Sequence, residues 1–366
     1  MVGTTGHPSP AQRRGIAMTA AETIRVTQPR ELLALIPFQL GFTPTDSLVV
    51  VSLREPRGRV GLIARIDLAD AAQAADTLAH HLADDGAARA VVVTYTADPA
   101  AAHTATTAVT DALSDTGIAN GGAWTINTTG YRSTDCHDFA CCPAAGRPLS
   151  DLTGTQIAAR FTYAGLSPAT TRAGLEVQPA SLAARRAANR AGATWLRTYT
   201  PRAATTRTAG LTAWCEATAT TGPVAPALLG AIAAALSDVV IRDAVLTSLI
   251  PDIDPDLPAQ VLTGQGNPDL ARALGAIMDA TTGVRPGAAA EAAEHLLQDV
   301  AAHAATTRTA APTTLLALLA WWSGDGARAG VLLDQALTCD PTHRLTLLLQ
   351  DALSAGLAPG WIRRTT

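Results

Sequence analysis

The sequence predicts an α/β N-terminal domain, a mixed and mainly parallel sheet with helices, followed by an all-α C-terminal domain. Three features predict it. Residues 25–163 alternate β-branched apolar runs with segments of helical period, the pattern of strand–helix–strand units. Residues 164–180 gather Gly, Pro and Thr, a linker composition. From Ser181 to the end (181–366) the apolar spacing is helical nearly throughout, broken mainly at Pro and Gly. The 366 residues suffice for two cores of ordinary size.

The elements follow in order. Residues 1–24 are polar and read as a disordered tail. Gln28–Leu40 reads as a helix interrupted near Pro37. Ser47–Leu53 and Val60–Ile66 are strand-like runs, and the polar turn from Arg54 to Arg59 between them makes an antiparallel hairpin. Asp70 is placed to cap a helix whose apolar residues are Ala71, Ala75, Leu78, Ala79 and Leu82. A strand at Ala90–Tyr95, a helix near Ala100–Thr116 and a strand at Ala123–Asn127 continue the alternation. Thr153–Tyr163 is one more helix, after a cysteine-containing loop at 134–149.

In the second half, breaks fall at Pro201, Gly222-Pro223, Pro251–Pro258, Gly264–Pro268, Gly283–Gly287, Pro312, Gly324 and Pro341. Thr313–Trp322 is apolar on nearly all sides and is predicted to be buried. The next helix carries a stripe of Ala329, Leu332, Leu333, Ala336 and Leu337, and the last one Leu345, Leu348, Leu349, Ala352 and Leu353. Gly324-Asp325, Ala329, Ala336 and Asp340-Pro341 match the spacing of one tetratricopeptide-like helical hairpin. Only one such unit is clear, and stable arrays need about three.

Composition excludes several chemistries. The sequence holds no lysine; all 27 basic residues are arginine. A Schiff-base lysine, a P-loop lysine and a kinase-type lysine are therefore absent. Arginine binds phosphate but stays protonated and does not act as a base. The net charge of −4 gives no general attraction to nucleic acid or membranes. No run of about 18 apolar residues exists, so no spanning helix is expected. No sustained apolar region follows Arg13 and Arg14, so no secretory signal is expected. Five unevenly spaced cysteines do not make a secreted disulfide framework, and a reducing cytoplasm is the expected compartment.

Three of those cysteines fall within seven residues, Cys136-His137-Asp138-Phe139-Ala140-Cys141-Cys142. Thiolates and an imidazole this close hold a metal, form a disulfide, carry a reactive thiol, or make an ordinary turn with semi-buried cysteines. Zinc is the metal this donor set implies, with Cys136, His137, Cys141 and Cys142 as candidate ligands. Neighbours in the chain compete for position. The expectation is Cys136 with one of Cys141 and Cys142, completed from elsewhere by groups such as His80, His81 or Asp138.

Two further features are candidates. From Val177 to Cys215 there is no acidic residue, while Arg185, Arg186, Arg190, Arg197, Arg202 and Arg207 are present. Arg186, Arg190 and Arg197 share one helical face, suited to anions, to a partner, or to internal pairing with Asp238, Asp243, Asp252, Asp254 and Asp256. The Gly41–Ser47 turn places Gly41, Asp46 and Ser47 at a strand start, as turn caps or as ligand-facing groups. Asp252–Asp256 imitates a calcium loop but has Leu257 where glycine is required and Thr263 where the last carboxylate is required. The sequence has no G-x-S-x-G elbow, H-E-x-x-H, G-x-G-x-x-G or P-loop.

The stretch LIPFQLGFTPTDSLVVVSL (Leu35–Leu53) resembles the opening motif of the family called domain of unknown function 4192. The Cys136…Cys141-Cys142-Pro143 loop with Gly146-Arg147-Pro148-Leu149 resembles it too, as does LAWWSGDGARAGVLLDQALTCDP. The resemblance covers most of the chain from about residue 28. It implies a bacterial, mainly actinobacterial, cytoplasmic protein and transfers no catalytic residue. Tyr131-Arg132-Ser133-Thr134 departs from the more aromatic lead-in expected before the first cysteine. The functional expectation is a non-catalytic binding or scaffolding protein whose helical half meets a protein partner. One alternative is a zinc-assisted hydrolase built on the cysteine loop. A second is a nucleic-acid-binding protein using the arginine face over 185–207.

Overall fold

The structure, a computed structural model, describes residue 26 and residues 28–56, 58–200 and 203–365. The expected tail over 1–24, Arg57 of the hairpin turn, and Pro201 and Arg202 lie outside the described residues. The chain divides between Gly174 and Leu175 into two compact units, a point inside the segment expected as linker.

The first unit begins with α1 (Pro29–Leu40). Pro37 does not interrupt it. The missing N–H leaves the Leu33 carbonyl without its helical partner, but the helix runs only three residues further, so one lost bond is tolerated; Gly41 closes the helix in the left-handed conformation at φ 75°. β1 (Ser47–Arg54) and β2 (Arg59–Asp67) form the expected hairpin. α2 (Ala71–Asp84) buries the five apolar residues its spacing predicts. Asp70 sits at its N-cap position but makes no capping bond, because a short 3₁₀ turn already precedes the helix. β3 (Ala87–Tyr95) leads to α3 (Pro99–Asp115), which is capped by Asp98 through the N–H groups of Ala100 and Ala101. β4 (Ala119–Ile126) and a short β5 (Tyr131–Ser133) complete the sheet. The expected helix at Thr153–Tyr163 is two pieces, α4 (Ser150–Thr153) and α5 (Gln156–Tyr163), separated at Gly154.

The sheet order is β2-β1-β3-β4-β5. Only β3 and β4 pair parallel; the other three pairings are antiparallel. The sheet is mixed, as expected, but mainly antiparallel rather than mainly parallel. β2 and β3 do run in the same direction, joined by α2, but β1 lies between them and opposes both. Strand–helix–strand alternation reports direction, and direction alone does not say which strands are neighbours.

β1 is an interior strand buried on both faces, which explains its apolar run. Leu48, Val50 and Val92 meet α2 and α3 on one face. Val49, Val51 and Val93 are fully buried on the other. α1 lies against β2 and packs on α4 and α5, with Phe38 stacked on Phe161 at 5.1 Å. Arg54 and the N–H of Leu62 both donate to Asp85, tying β1 and β2 to the end of α2. A Cβ on Gly61 would lie 2.2 Å from the Asp85 carboxylate, so any side chain there has to displace the Arg54–Asp85 pair.

The second unit is helical: α6 (Leu182–Thr198), α7 (Ala204–Ala219), α8 (Pro226–Ala235), α9 (Val239–Thr247), α10 (Leu257–Val261), α11 (Pro268–Met278), α12 (Ala288–His303), α13 (Ala310–Trp322), α14 (Gly326–Cys339), α15 (Arg344–Ser354) and α16 (Gly360–Thr365). α13 is buried along its whole length, as its all-round apolarity predicts. α14 buries Ala329, Leu332, Leu333 and Ala336. The stripe on α15 is only partly used. Leu349 and Leu353 pack inward, while Leu348 is 56% exposed.

Close crossing of α6 and α8 needs two glycines. A Cβ on Gly230 would lie 1.9 Å from the Ala188 carbonyl oxygen, and one on Gly192 2.8 Å from that of Gly230. Gly230→Ala is expected to destabilise the protein by about 1–3 kcal/mol, read as a lower urea midpoint at unchanged slope.

One arginine of the basic segment is internal. Arg207 is buried, donates to Asp238 at 3.0 Å and to the Leu262 carbonyl at 3.2 Å, and Tyr199 donates to the same carboxylate oxygen at 2.6 Å. Burial pushes the Asp238 carboxyl up. The Tyr199 hydroxyl, the Val240 N–H and Arg207 outweigh it and hold the group below the usual carboxylate range. A depressed carboxylate contributes stability above its unfolded pKa and loses it as pH falls through the folded one. The urea midpoint is expected to fall as pH drops below about 4. Asp238→Asn is expected to flatten that slope while removing about 3–5 kcal/mol at neutral pH, because it leaves Arg207 buried and uncompensated. An unchanged pH profile in the variant would contradict this assignment.

Candidate functional site

The three clustered cysteines leave the sheet at β5 and sit on a loop with a fixed base. Tyr131 and Arg147 exchange two backbone hydrogen bonds, 2.9 and 2.8 Å, and close the loop into a neck. The neck needs glycine on both sides. A Cβ on Gly130 would fall 2.5 Å from the Arg147 carbonyl oxygen, and Gly146 turns at φ 81° against the Tyr131 backbone. Inside the neck, Thr134 donates backbone and side-chain bonds to the Ala123 carbonyl, and the Asp135 carboxylate accepts from the Ala123 N–H at 3.0 Å. The first residues of the loop are thus stitched to β4.

The far end is folded by Asp138. Its carbonyl oxygen accepts from the N–H groups of Cys141 and Cys142 at 3.1 and 2.7 Å, and its carboxylate from Ala140 at 2.8 Å. This single turn brings the thiols round. The Sγ atoms of Cys136, Cys141 and Cys142 all lie within 4.8 Å of one another. Adjacent Cys141 and Cys142 therefore do both reach one point, contrary to the expectation that only one of them does. The tight turn swings their side chains together, which chain adjacency alone does not allow one to foresee.

His137 is exposed and stands outside this group of converging donors. Among the described residues no imidazole or carboxylate joins the three sulfurs. His80 bonds instead to the Asp76 carbonyl on its own helix. Cys142 is buried, Cys136 half-buried and Cys141 exposed, and all three are free thiols.

Arg147 is the residue that sequence reasoning missed. Its Nε donates to the Cys141 carbonyl at 2.6 Å, and its Nη2 lies 3.7 Å from the Cys141 sulfur. It therefore braces the loop twice, by backbone at the neck and by side chain across the interior. Burial raises the neighbouring Tyr131 hydroxyl above the ordinary tyrosine range, the Asp151 charge adds to this, and the Arg147 charge opposes it. The only sequence signal was the Gly146-Arg147-Pro148 run directly after the cysteines. Phe139, 76% exposed, stands at the outer end of the loop.

The other predicted groups occupy different places. Gly41 caps α1, and the backbone of Gly41 and Thr43 bonds to Ala169. Asp46 holds a left-handed conformation at φ 43°, its carbonyl accepts from Leu68 and its carboxylate from the Thr96 hydroxyl at 3.4 Å. Ser47 is fully buried, donating to the Thr45 carbonyl and accepting from Arg65. All three are engaged in contacts that tie the turn to neighbouring segments of the first unit. Arg186, Arg190 and Arg197 are exposed along α6. An open depression of about 620 Å³ runs beside α7, lined by Thr205, Thr208, Thr212 and Glu216 among others, with no thiol or imidazole in it.

In metal-free protein, a bulky thiol reagent is expected to label Cys141 first, then Cys136, and Cys142 last. Gly130→Ala is expected to open the neck and bring the three rates together. Peptide mapping of timed labelling reads this order, and early labelling of Cys142 in the unaltered protein would contradict the geometry.

A family model described as Domain of unknown function (DUF4192) matches residues 29–262 and 269–360. No curated protein and no solved structure matches the chain.

Proposed function

The chain belongs to the DUF4192 family, and we propose that it is a non-catalytic binding protein that holds a thiophilic metal ion, zinc, in its cysteine loop. The convergence of Cys136, Cys141 and Cys142 within 4.8 Å supports this reading. Zinc–sulfur bonds of about 2.3 Å in tetrahedral geometry place sulfurs about 3.8 Å apart, so no pair of sulfurs has to close by more than about 1 Å. The neck at Tyr131 and Arg147 keeps that contraction local.

The donor set favours binding over hydrolysis. Three thiolates around a divalent ion leave the centre with a net negative charge, which weakens its pull on a bound water. Hydrolytic zinc sites keep more neutral ligands and place a general base beside the water. Among the described residues no carboxylate or imidazole converges on these sulfurs. A reducing cytoplasm is the compartment in which free clustered thiols keep such an ion. No helix among the described residues is long and apolar enough to cross a membrane.

Within this reading the helical unit is the scaffold. Its α13–α14 hairpin, with Gly324-Asp325, Ala329, Ala336 and Asp340-Pro341, resembles a single tetratricopeptide-like repeat. Ala329 and Ala336 are fully buried in it, as small crossing residues are in such repeats. The exposed Leu347 and Leu348 of α15 would face a protein partner. Arg207 pairs internally, which leaves Arg186, Arg190 and Arg197 too sparse a cluster to favour nucleic acid.

Elemental analysis of protein purified under reducing conditions is expected to find one zinc per chain. Cys136→Ser and Cys141→Ser are expected to weaken binding by more than about 100-fold, beyond the loss of 10–100-fold typical for a supporting contact such as Arg147. A folded wild type that takes up no zinc from micromolar solution refutes the proposal.

A further inference from the structure

We infer that the same loop is an oxidation site: a hydroperoxide converts Cys141 and Cys136 into a disulfide, and this withdraws two of the three metal donors. The release of metal rests on the zinc reading; the disulfide itself rests on the thiol geometry alone. Three observations assign the roles. Cys141 is the exposed thiol, Cys136 is half-buried and Cys142 is buried, so solvent-borne peroxide meets Cys141 first. Cys136 lies within 4.8 Å of it and is five residues away, so the two sulfurs close on each other by turning side chains in a loop whose neck stays paired. Cys141 and Cys142 are adjacent, and a bridge between them has to distort the peptide that joins them.

The guanidinium of Arg147, 3.7 Å from the Cys141 sulfur, faces the negative charge that builds as the sulfur reacts. Cys141 Sγ attacks one peroxide oxygen, the O–O bond breaks, and the thiol proton leaves with the departing hydroxide as water. Cys141 is now a sulfenic acid, oxidised by two electrons, and the peroxide is reduced. Cys136 Sγ then displaces the hydroxyl group, and its own proton leaves with it as a second water. Two thiols and one hydrogen peroxide give one disulfide and two waters.

The test uses full-length protein, zinc-loaded and metal-free, treated with hydrogen peroxide and read by intact mass and peptide mapping. The expected result is a loss of about 2 Da, mapped to a Cys136–Cys141 bridge and reversed by dithiothreitol, in the metal-free sample. In the loaded sample the same bridge appears with release of one zinc per chain. Cys136→Ser is expected to trap the Cys141 sulfenic acid, captured by dimedone, and Cys142→Ser is expected to leave the bridge in place. Arg147→Gln is expected to slow the oxidation while leaving the final mass unchanged. A protein that takes no zinc yet forms the bridge defeats the metal reading and keeps this one. A bridge through Cys142, a bridge between chains, or over-oxidation of Cys141 with no bridge in the wild type overturns the inference, even where zinc binding holds.

Discussion

Two backbone hydrogen bonds between Tyr131 and Arg147 are the constraint on which the first unit's chemistry depends. They join the last short strand to the residue that follows the cysteines, and so turn an open excursion into a closed loop. Closing a loop costs chain entropy, and here the cost is met by strand pairing that the sheet supplies in any case. With the ends fixed, one turn around Asp138 is enough to decide where three sulfurs go. Gly130 and Gly146 are part of the same device: the backbone approaches too closely for a side chain on Gly130, and Gly146 adopts a left-handed φ of 81°. Arg147 then does two jobs, one with its backbone and one with its guanidinium.

The helical unit is organised by a different kind of contact. Arg207, Asp238 and Tyr199 form a buried hub that reaches the N-terminus of α9 and the carbonyl of Leu262. Such a hub adds little net stability over an apolar equivalent, but each member is costly to lose alone. It links α7, the N-terminus of α9 and the end of α10 through directional bonds. Indole N–H groups act likewise near the C-terminus. Trp321 donates to the Leu357 carbonyl, Trp322 to that of Val284, and Trp361 to that of Trp322. Arg285 lies over the Trp361 ring at 4.7 Å. Short helices with modest apolar faces are thereby pinned by a few directional bonds.

Much of this was legible from residue order. The run SLVVVSL and the spacing of Ala71, Ala75, Leu78, Ala79 and Leu82 each specify an element and its buried face, since strand and helix periods are local properties. The all-round apolarity of α13 likewise specified its burial. β5 was not legible, because three residues carry no periodicity. The place of β1 between β2 and β3 was not legible either, since strand neighbours are chosen by long-range pairing. Pro37 misled for an energetic reason: a proline costs one helical bond, here to the Leu33 carbonyl, and a helix with three residues left to run absorbs that single loss. The exposed Leu348 shows the converse error, since a stripe has the right period whether or not anything covers it.

At the candidate site the division is similar. The sequence by itself determined that thiols are concentrated between Cys136 and Cys142, that no lysine chemistry is available, and that glycine flanks the segment. Only the tertiary structure decided which donors meet. It united the three sulfurs, left His137 in solvent, and brought Arg147 across to Cys141. Composition and spacing act within a few residues, whereas convergence of side chains is set by where the chain returns to pair with itself. That return, at Tyr131 and Arg147, depends on a sheet edge that five strands build together.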